Sequence, residues 1–457
     1  MDYDFIIVGA GPAGIFAALE LSGLRPEKKI LILEKGQDLE KRNCPKRDNG
    51  VCRKCNPCNI LSGFAGSGAY SDGKLSLSPE VGGELPSVIG YENTLELIKQ
   101  VDQIYLSFGA DKKIYGVENP ELMDKLRARA IKSNLKLIEC PIRHLGTDES
   151  RKIYKKIEDR LLSQGVQLSF NNPVADLIID NGEIKGVVAD KIYNADKVII
   201  ATGREGSSWL SSMCEKYFIK KSIGPVDIGV RVEVRNEIMK EINESLYEGK
   251  FIYYTPTFDD KVRTFCQNPA GFVSVEYYDN LAVVNGHSYK SKKQKSKNTN
   301  FAILVSNYFT KPFQNPIEYG KFIAGLGNML SGNKIIVQRY GDLKRGRRTT
   351  PERLFRNNIH PTLSDSLPGD LSLVLPYRVL LDIKEMIEAL DTIVSGVSSD
   401  ETLLYGVEVK FYSSRIQTNE NFETSIKNLY VAGDGAGITR GLMQSSVNGI
   451  YIGRLFA

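Results

Sequence analysis

The sequence predicts an α/β fold: a parallel-sheet nucleotide-binding domain, assembled from separated pieces of chain, with an inserted α+β domain. Three observations predict it. The chain opens on a short apolar run leading into spaced glycines, "FIIVGAGPAG". Two later apolar runs, "KVIIATG" and "LYVAGDG", also break at glycine, one mid-chain and one near the C-terminus. The 457 residues exceed what one compact core uses, so the stretch between those runs has room for a second domain.

Each element has a local cause. Phe5 to Val8 is apolar on consecutive residues, as a strand buried on both faces must be. Gly9, Gly11 and Gly14 follow with G-x-G-x-x-G spacing, enclosing Pro12 and Ala13. Gly9 permits the tight turn, Gly11 lets a pyrophosphate approach the backbone, and Gly14 lets helix and strand pack closely. The helix after them, with Ala17, Leu19 and Leu21 among its formers, stops near Gly23. Its N-terminus offers unpaired N–H groups and a positive dipole end to phosphates. A second strand, "KILILE", ends in Glu34, twenty residues after Gly14, where a carboxylate can accept hydrogen bonds from a ribose. Lys35 beside it is assigned to the same ligand. Strand, glycine turn, helix, strand and terminal acid together predict a Rossmann-like dinucleotide cradle.

Two other segments choose the dinucleotide. "ADKVIIATGREG" runs a strand, Val198 to Ile200, into Ala201, Thr202 and Gly203. "IKNLYVAGDGAGITRGLMQSSVNG" runs a strand, Leu429 to Ala432, into Gly433 and Asp434 and then a last helix from about Gly441, Leu442 and Met443. These segments resemble the additional signatures of the glutathione-reductase-like flavoproteins with two dinucleotide-binding domains. The resemblance implies bound FAD, with Asp434 on its ribityl chain and the last helix aimed at the flavin's pyrimidine edge. Between them, "VADLIIDNGEIKGVVADKIYNADKVII" alternates around Asn181-Gly182, a hairpin signal. It resembles the small β-meander of the same fold, which implies adenine against the backbone at Val174. No second G-x-G-x-x-G follows a strand, so a separate NAD(P)-binding domain is not expected, and NAD(P)H is left as a transient donor.

"GFAGSGAYSDGKLS", "RHLGTDESRK", "PVDIGVRVE" and the final "GDGAGITRGLMQSSVNGI" resemble a family of bacterial and archaeal FAD-dependent dehydrogenases over nearly the whole chain. Ala65, Ser67, Asp434 and "ITRGL" depart from that family's usual pattern, so the resemblance implies a divergent branch, and it implies the cofactor more than the substrate. Gly66, Ser67, Gly68, Ser71 and Gly73 supply backbone N–H groups beside small side chains, which suits close approach to a flavin or pyrophosphate. Lys74 is a candidate for neutralising a phosphate or the flavin N1–C2=O region, and equally a solvated loop lysine. Arg42 resembles a phosphate-contacting arginine of related flavoproteins.

Cys44, Cys52, Cys55 and Cys58 are four of only seven cysteines. Three at two-residue gaps plus a Cys-Pro resemble a [4Fe–4S] ligand set, which would give electrons a route to flavin. A four-thiolate zinc site, a redox dithiol and an unliganded loop are the other readings. The odd, clustered count argues against a disulfide framework and for a reducing cytoplasm. Asp2 and Asp4 before residues 5–19, and Glu20 after them, argue against a signal peptide or membrane span.

The FAD-binding domain is expected over 1–85, 134–215 and 404–457, with a helical excursion at 86–133 and a substrate domain at 216–403. Within the excursion "NTLELIKQVDQIYLSFG" has a helical apolar face, Asn93 and Glu96 as a cap pair and Gly109 as its stop. Among three histidines, His144 in "RHLGTD" is the first candidate for proton transfer or substrate contact and His287 the weaker one. Arg440, before the last helix, is a third catalytic candidate beside His144 and Lys74. The net charge of +5, 60 basic against 55 acidic residues, is too mild to indicate nucleic acid. The basic stretches 290–297 and 344–348 are the sole support for RNA, or for an anionic substrate or the NADPH phosphate at the second. The expectation is an FAD-dependent oxidoreductase acting on an organic small molecule, with a redox partner protein as a possible donor.

Overall fold

The computed structural model describes residues 2–44, 53, 55–71, 73–278, 281–288, 295–313 and 315–456, with no side chains described at 147 and 148. The chain forms two units. One comprises 1–114, 141–222 and 413–457, the other 115–140 and 223–412.

The first unit is built on a sheet whose parallel strands run Gln167–Ser169, Ile30–Leu33, Asp2–Val8, Ile192–Ile200 and Leu429–Val431. Ile192–Ile200 is long enough to serve two neighbours on one edge. Its beginning pairs with Glu183–Val188 of the meander, and its end with Leu429–Val431. Phe5, Ile6, Ile7 and Val8 are all buried, as are Val198, Ile199 and Ile200, so these strands read as unbroken apolar runs. Asn181 and Gly182 both take positive φ, 48° and 76°, between the strands Asp176–Asp180 and Glu183–Val188, which is the hairpin expected there.

The helix Pro12–Leu24 packs on the last helix, Leu442–Arg454. Glycine makes that crossing possible: a Cβ on Gly449 would collide with the Ala13 carbonyl oxygen. A helix spans Tyr91–Ser107 and buries Leu97, Ile98, Val101 and Tyr105. Gly90 rather than Asn93 stands at its N-cap, without a side-chain cap, and Asn93 lies inside the first turn. Gly109, at φ 104°, follows its end.

The second unit is an eight-stranded sheet. Its order is Leu367–Pro368, Ile336–Arg339, Leu403–Lys410, Val226–Arg235, Asn298–Asn307, Lys261–Asn268, Lys250–Tyr254 and Leu135–Ile138. A two-stranded ribbon, Phe272–Tyr278 with Leu281–His287, and the helices Pro120–Lys132, Pro316–Ser331 and Tyr377–Asp391 complete it. Pairing shifts the boundaries expected from sequence. Leu135–Ile138 hydrogen-bonds to Lys250–Tyr253, and Leu403–Lys410 sits mid-sheet beside Val226–Arg235, so both belong to the second unit. The expected 86–133 excursion is correspondingly divided, Tyr91–Ser107 going to the first unit and Pro120–Lys132 to the second.

Candidate functional site

The parallel strands of the first unit all end on one edge, and the residues after them form the candidate site. Val8 leads into Gly9, whose φ of 105° and approach to the Ala201 carbonyl oxygen, 2.5 Å from a would-be Cβ, leave room for glycine alone. Gly14 backs directly onto the Gly9 carbonyl oxygen. Gly11 differs: a Cβ there meets only the Ala201 oxygen, at 4.0 Å, so the space before it is open. Gly11 is the N-cap of Pro12–Leu24, with no side-chain cap and proline in the first turn, so the amides of the first turn face that space. Gly441 caps Leu442–Arg454 in the same manner, again with no side-chain cap.

The segment Gly66–Tyr70 is a short 3₁₀ turn entered through Ala65 at φ 67°. It lies on the opening turn: a Cβ on Gly66 would be 3.6 Å from the Gly11 Cα. Its other side meets the last helix, since a Cβ on Gly68 would be 3.0 Å from Leu442 Cδ2. Ser150 Oγ donates to the Gly68 carbonyl at 2.9 Å, and Ser71 Oγ accepts from the Gly73 amide at 3.2 Å. The glycine loop, the opening turn and the start of the last helix therefore surround one space, which brings together Gly9, Gly11, Pro12, Ala13, Gly14, Gly66, Ser67, Gly68, Gly441 and Leu442.

Glu34 is buried and its carboxylate accepts the amides of Ala10 at 2.8 Å, Gly36 at 2.8 Å and Gly63 at 2.9 Å. It braces the loops around the cradle, a use that the ribose expectation did not contain. Arg42 is buried and donates to the carbonyls of Asn59 at 3.0 Å, Ile60 at 2.8 Å and Phe64. Burial pushes its guanidinium down to about 10. These three carbonyls hold the Arg42 guanidinium in place beside the cradle. Lys35 pairs with Glu205.

Asp434 follows the Leu429–Val431 strand. Its Oδ1 accepts from Thr439 Oγ1 at 2.7 Å and Ser445 Oγ at 2.9 Å. Its Oδ2 lies 3.6 Å from Arg204 Nε. The Gly433 amide donates to Asn448 Oδ1 at 2.8 Å, while Asn448 Nδ2 and Thr202 Oγ1 are buried without a partner. Uncapped helix starts, an open face at Gly11 and unsatisfied buried donors fit a dinucleotide with a polar chain, such as FAD. Val174 is buried just before the meander, and Ala201 is held by its amide on the Val8 carbonyl at 2.8 Å.

The strand Lys74–Ser76 pairs antiparallel with Ile142–His144, which sets Lys74 opposite His144. Residues opposite one another share a sheet face, so two of the three catalytic candidates stand together. Arg143, between Ile142 and His144, points the other way. Its Nε and Nη2 reach Asp102 at 2.6 and 2.8 Å in a buried pair that anchors the ribbon to Tyr91–Ser107. Arg440 is directed to Glu84, at 3.2 Å, which also takes Arg415. Sequence reasoning missed Glu84, Thr439, Ser445 and Asn448, although the last two stand in the quoted "MQSSVNG". It also missed the buried hydroxyl chain of Tyr154, Tyr105 and Ser446, joined at 3.0 and 3.0 Å.

Cys44 and Cys58 are partly buried, Cys55 is exposed, and all three are free thiols. Cys52 lies outside the described residues, as do 290–294 of the first basic stretch. Among the described residues no three side chains of a metal-binding type come together. The second basic stretch is locally neutralised: Lys344 and Arg345 pair with Asp400 at 2.8 and 2.6 Å, and Arg347 with Asp342 at 2.8 Å. His287 belongs to the second unit's ribbon, stacked on Phe272 at 6.1 Å. Among the described residues, no helix is long and apolar enough to cross a membrane.

Residues 225–411 match the family described as FAD-dependent protein, C-terminal domain-like. The match covers less than half of the chain, and it agrees with the dinucleotide cradle of the first unit in pointing to an FAD-dependent protein. A relative in Clostridium beijerinckii, described as an uncharacterized protein, is 24% identical over 473 positions, covering 98% of this chain and 79% of that one. Among solved structures, the chain is similar to formate oxidase of Aspergillus oryzae RIB40, with TM-score 0.43 and 12% identity over 99% of this chain and 97% of that one. It is similar to glycine oxidase of Bacillus cereus ATCC 14579, with TM-score 0.39 and 13% identity over 99% and 96%. L-proline dehydrogenase of P. horikoshii gives TM-score 0.37 and 12% identity over 100% and 93%. Likenesses this distant carry no argument about substrate.

Proposed function

We propose that the first unit binds FAD in the manner of the glutathione-reductase-like flavoproteins and that the protein exchanges hydride or electrons with an organic substrate. The observation that carries this reading is the convergence of two uncapped helix starts and the Gly66–Tyr70 turn on the open face of Gly11. When bound, FAD supplies the redox chemistry. The chain's own residues hold and orient it. The amides of the first turn of Pro12–Leu24 receive the pyrophosphate, and Asp434, positioned by Thr439 and Ser445, receives ribityl hydroxyls. Lys74 and His144 share one face of their ribbon, where a cation and a proton donor can serve a substrate or the flavin's polar edge.

The test is purification followed by denaturation and quantification of released FAD. About one FAD per chain is expected, with the yellow absorbance of oxidised flavin. Protein that stays colourless after incubation with excess FAD overturns the proposal. Anaerobic mixing of the loaded protein with NADH, NADPH and a reduced partner protein then identifies the donor.

A further inference from the structure

Asp382 lies on the second unit's helix Tyr377–Asp391 and is 0% exposed. Its Oδ1 accepts from Thr255 Oγ1 at 2.7 Å, and its Oδ2 has no donor. Thr255 Oγ1, which donates to Asp382, also accepts the Asp260 amide at 3.1 Å, so the Asp260 carboxyl is held on the same side of the helix as Asp382 and the two interact. Both oxygens of Asp260 are already engaged by Arg378, through Nη2 at 2.8 Å and through Nε. Arg378 is four residues before Asp382, one helical turn away on the same face.

Thr255 and Asp260 close the turn between Lys250–Tyr254 and Lys261–Asn268. The Thr255 amide donates to the Asp260 carbonyl at 3.0 Å, and the Asp260 amide to Thr255 Oγ1 at 3.1 Å. Thr257 Oγ1 donates to Glu385, further along the helix. The turn is thus clipped to Tyr377–Asp391 by Asp260 on Arg378, Thr255 on Asp382 and Thr257 on Glu385.

Two interacting carboxylates cannot both ionise cheaply, and the adjacent cation is committed to Asp260. We propose that the Thr255–Asp260 turn is a proton-operated latch, in which a proton on Asp382 bridges to Asp260 and its loss releases the turn from the helix. Burial, with the negative charge of Asp260, pushes Asp382 up to about 7, whereas the Arg378 hydrogen bond holds Asp260 down. Further charged groups near the turn are Glu385, which takes Thr257, and Glu388; both act on Tyr253 of the adjoining strand. The sign follows. With the turn released, Asp382 on the helix is in water and loses its proton near about pH 4. The latched form keeps it to about 7. The latched form therefore binds more protons between those values, so the latch weakens as pH rises through that window and is level above it.

The experiment is hydrogen exchange with mass spectrometry on the full flavin-loaded chain, reading peptides across 254–261 and correcting for intrinsic exchange. Protection is expected to fall at least about tenfold between about pH 5 and about pH 8. In Asp382→Asn, which has no proton to lose, the two readings should coincide. Equal protection in the native chain at both values, or a native-sized pH difference in the variant, overturns the latch. Asp260→Asn removes the anionic neighbour and serves if Asp382→Asn fails to fold. It should shrink the difference, and a difference of native size overturns the proposal.

Discussion

Glu34 accepts the Ala10 amide at 2.8 Å and the Gly63 amide at 2.9 Å, so one buried carboxylate ties the opening glycine turn to the loop lying over it. Glu34→Ala strands these two amides and that of Gly36. Leaving buried donors unpaired costs about 2–4 kcal/mol, which urea denaturation of flavin-free protein will read. The variant should also lose FAD on gel filtration. Glu34→Gln, which keeps one acceptor oxygen, should fall between. Native stability in the alanine variant would show that the brace is not needed.

Gly9 and Gly11 should respond oppositely to a methyl group. Gly9→Ala forces a Cβ against the Ala201 oxygen in a backbone of positive φ, so it should destabilise the fold by about 2 kcal/mol or more. Gly11→Ala meets nothing nearer than 4.0 Å, so its melting temperature without flavin should match the native chain. Its FAD affinity should nonetheless drop at least about tenfold, because the methyl fills the approach a pyrophosphate needs. Titration of both variants with FAD, monitored by flavin fluorescence, decides this.

Lys74, opposite His144, is placed to lend positive charge to the polar edge of a bound flavin. Removing such a charge disfavours the reduced, more negative ring. In Lys74→Met the flavin potential should fall by about 30 mV, which is ~1.4 kcal/mol for two electrons, with FAD content unchanged. An unaltered potential would return Lys74 to a solvated loop role.

In the second unit Arg231 and Glu408, both 0% exposed, form a two-point ion pair at 2.8 and 2.8 Å. Asn300 Oδ1 and the Cys266 carbonyl take further donors of Arg231 at 2.9 and 3.1 Å. Arg231→Met leaves the buried Glu408 with Lys410 alone as counter-charge, its Nζ 3.3 Å from Oε1, and should cost about 2–4 kcal/mol in urea denaturation. The double variant with Glu408→Leu should recover much of that loss, since the desolvated charge is gone as well.

The cradle was legible in sequence because its requirements are local. Glycine spacing, a four-residue apolar run and an uncapped helix start constrain neighbours a few positions apart, and the Asn181-Gly182 hairpin was legible for the same reason. The uses of the polar side chains were not. That Arg42 is held by the carbonyls of residues 59, 60 and 64, and that Arg440 pairs with Glu84, could not be read from the residues beside them.

By itself the sequence determined a dinucleotide-binding turn between an apolar strand and a helix, because sterics and hydrogen bonding act there within one short stretch of chain. Only the tertiary structure decided that Lys74 faces His144, that Leu403–Lys410 and Leu135–Ile138 belong to the second sheet, and that Asp382 interacts with Asp260. Those pairings join residues far apart in the chain. They follow from strand register and desolvation in the folded interior, and neither leaves a mark on the residues immediately alongside.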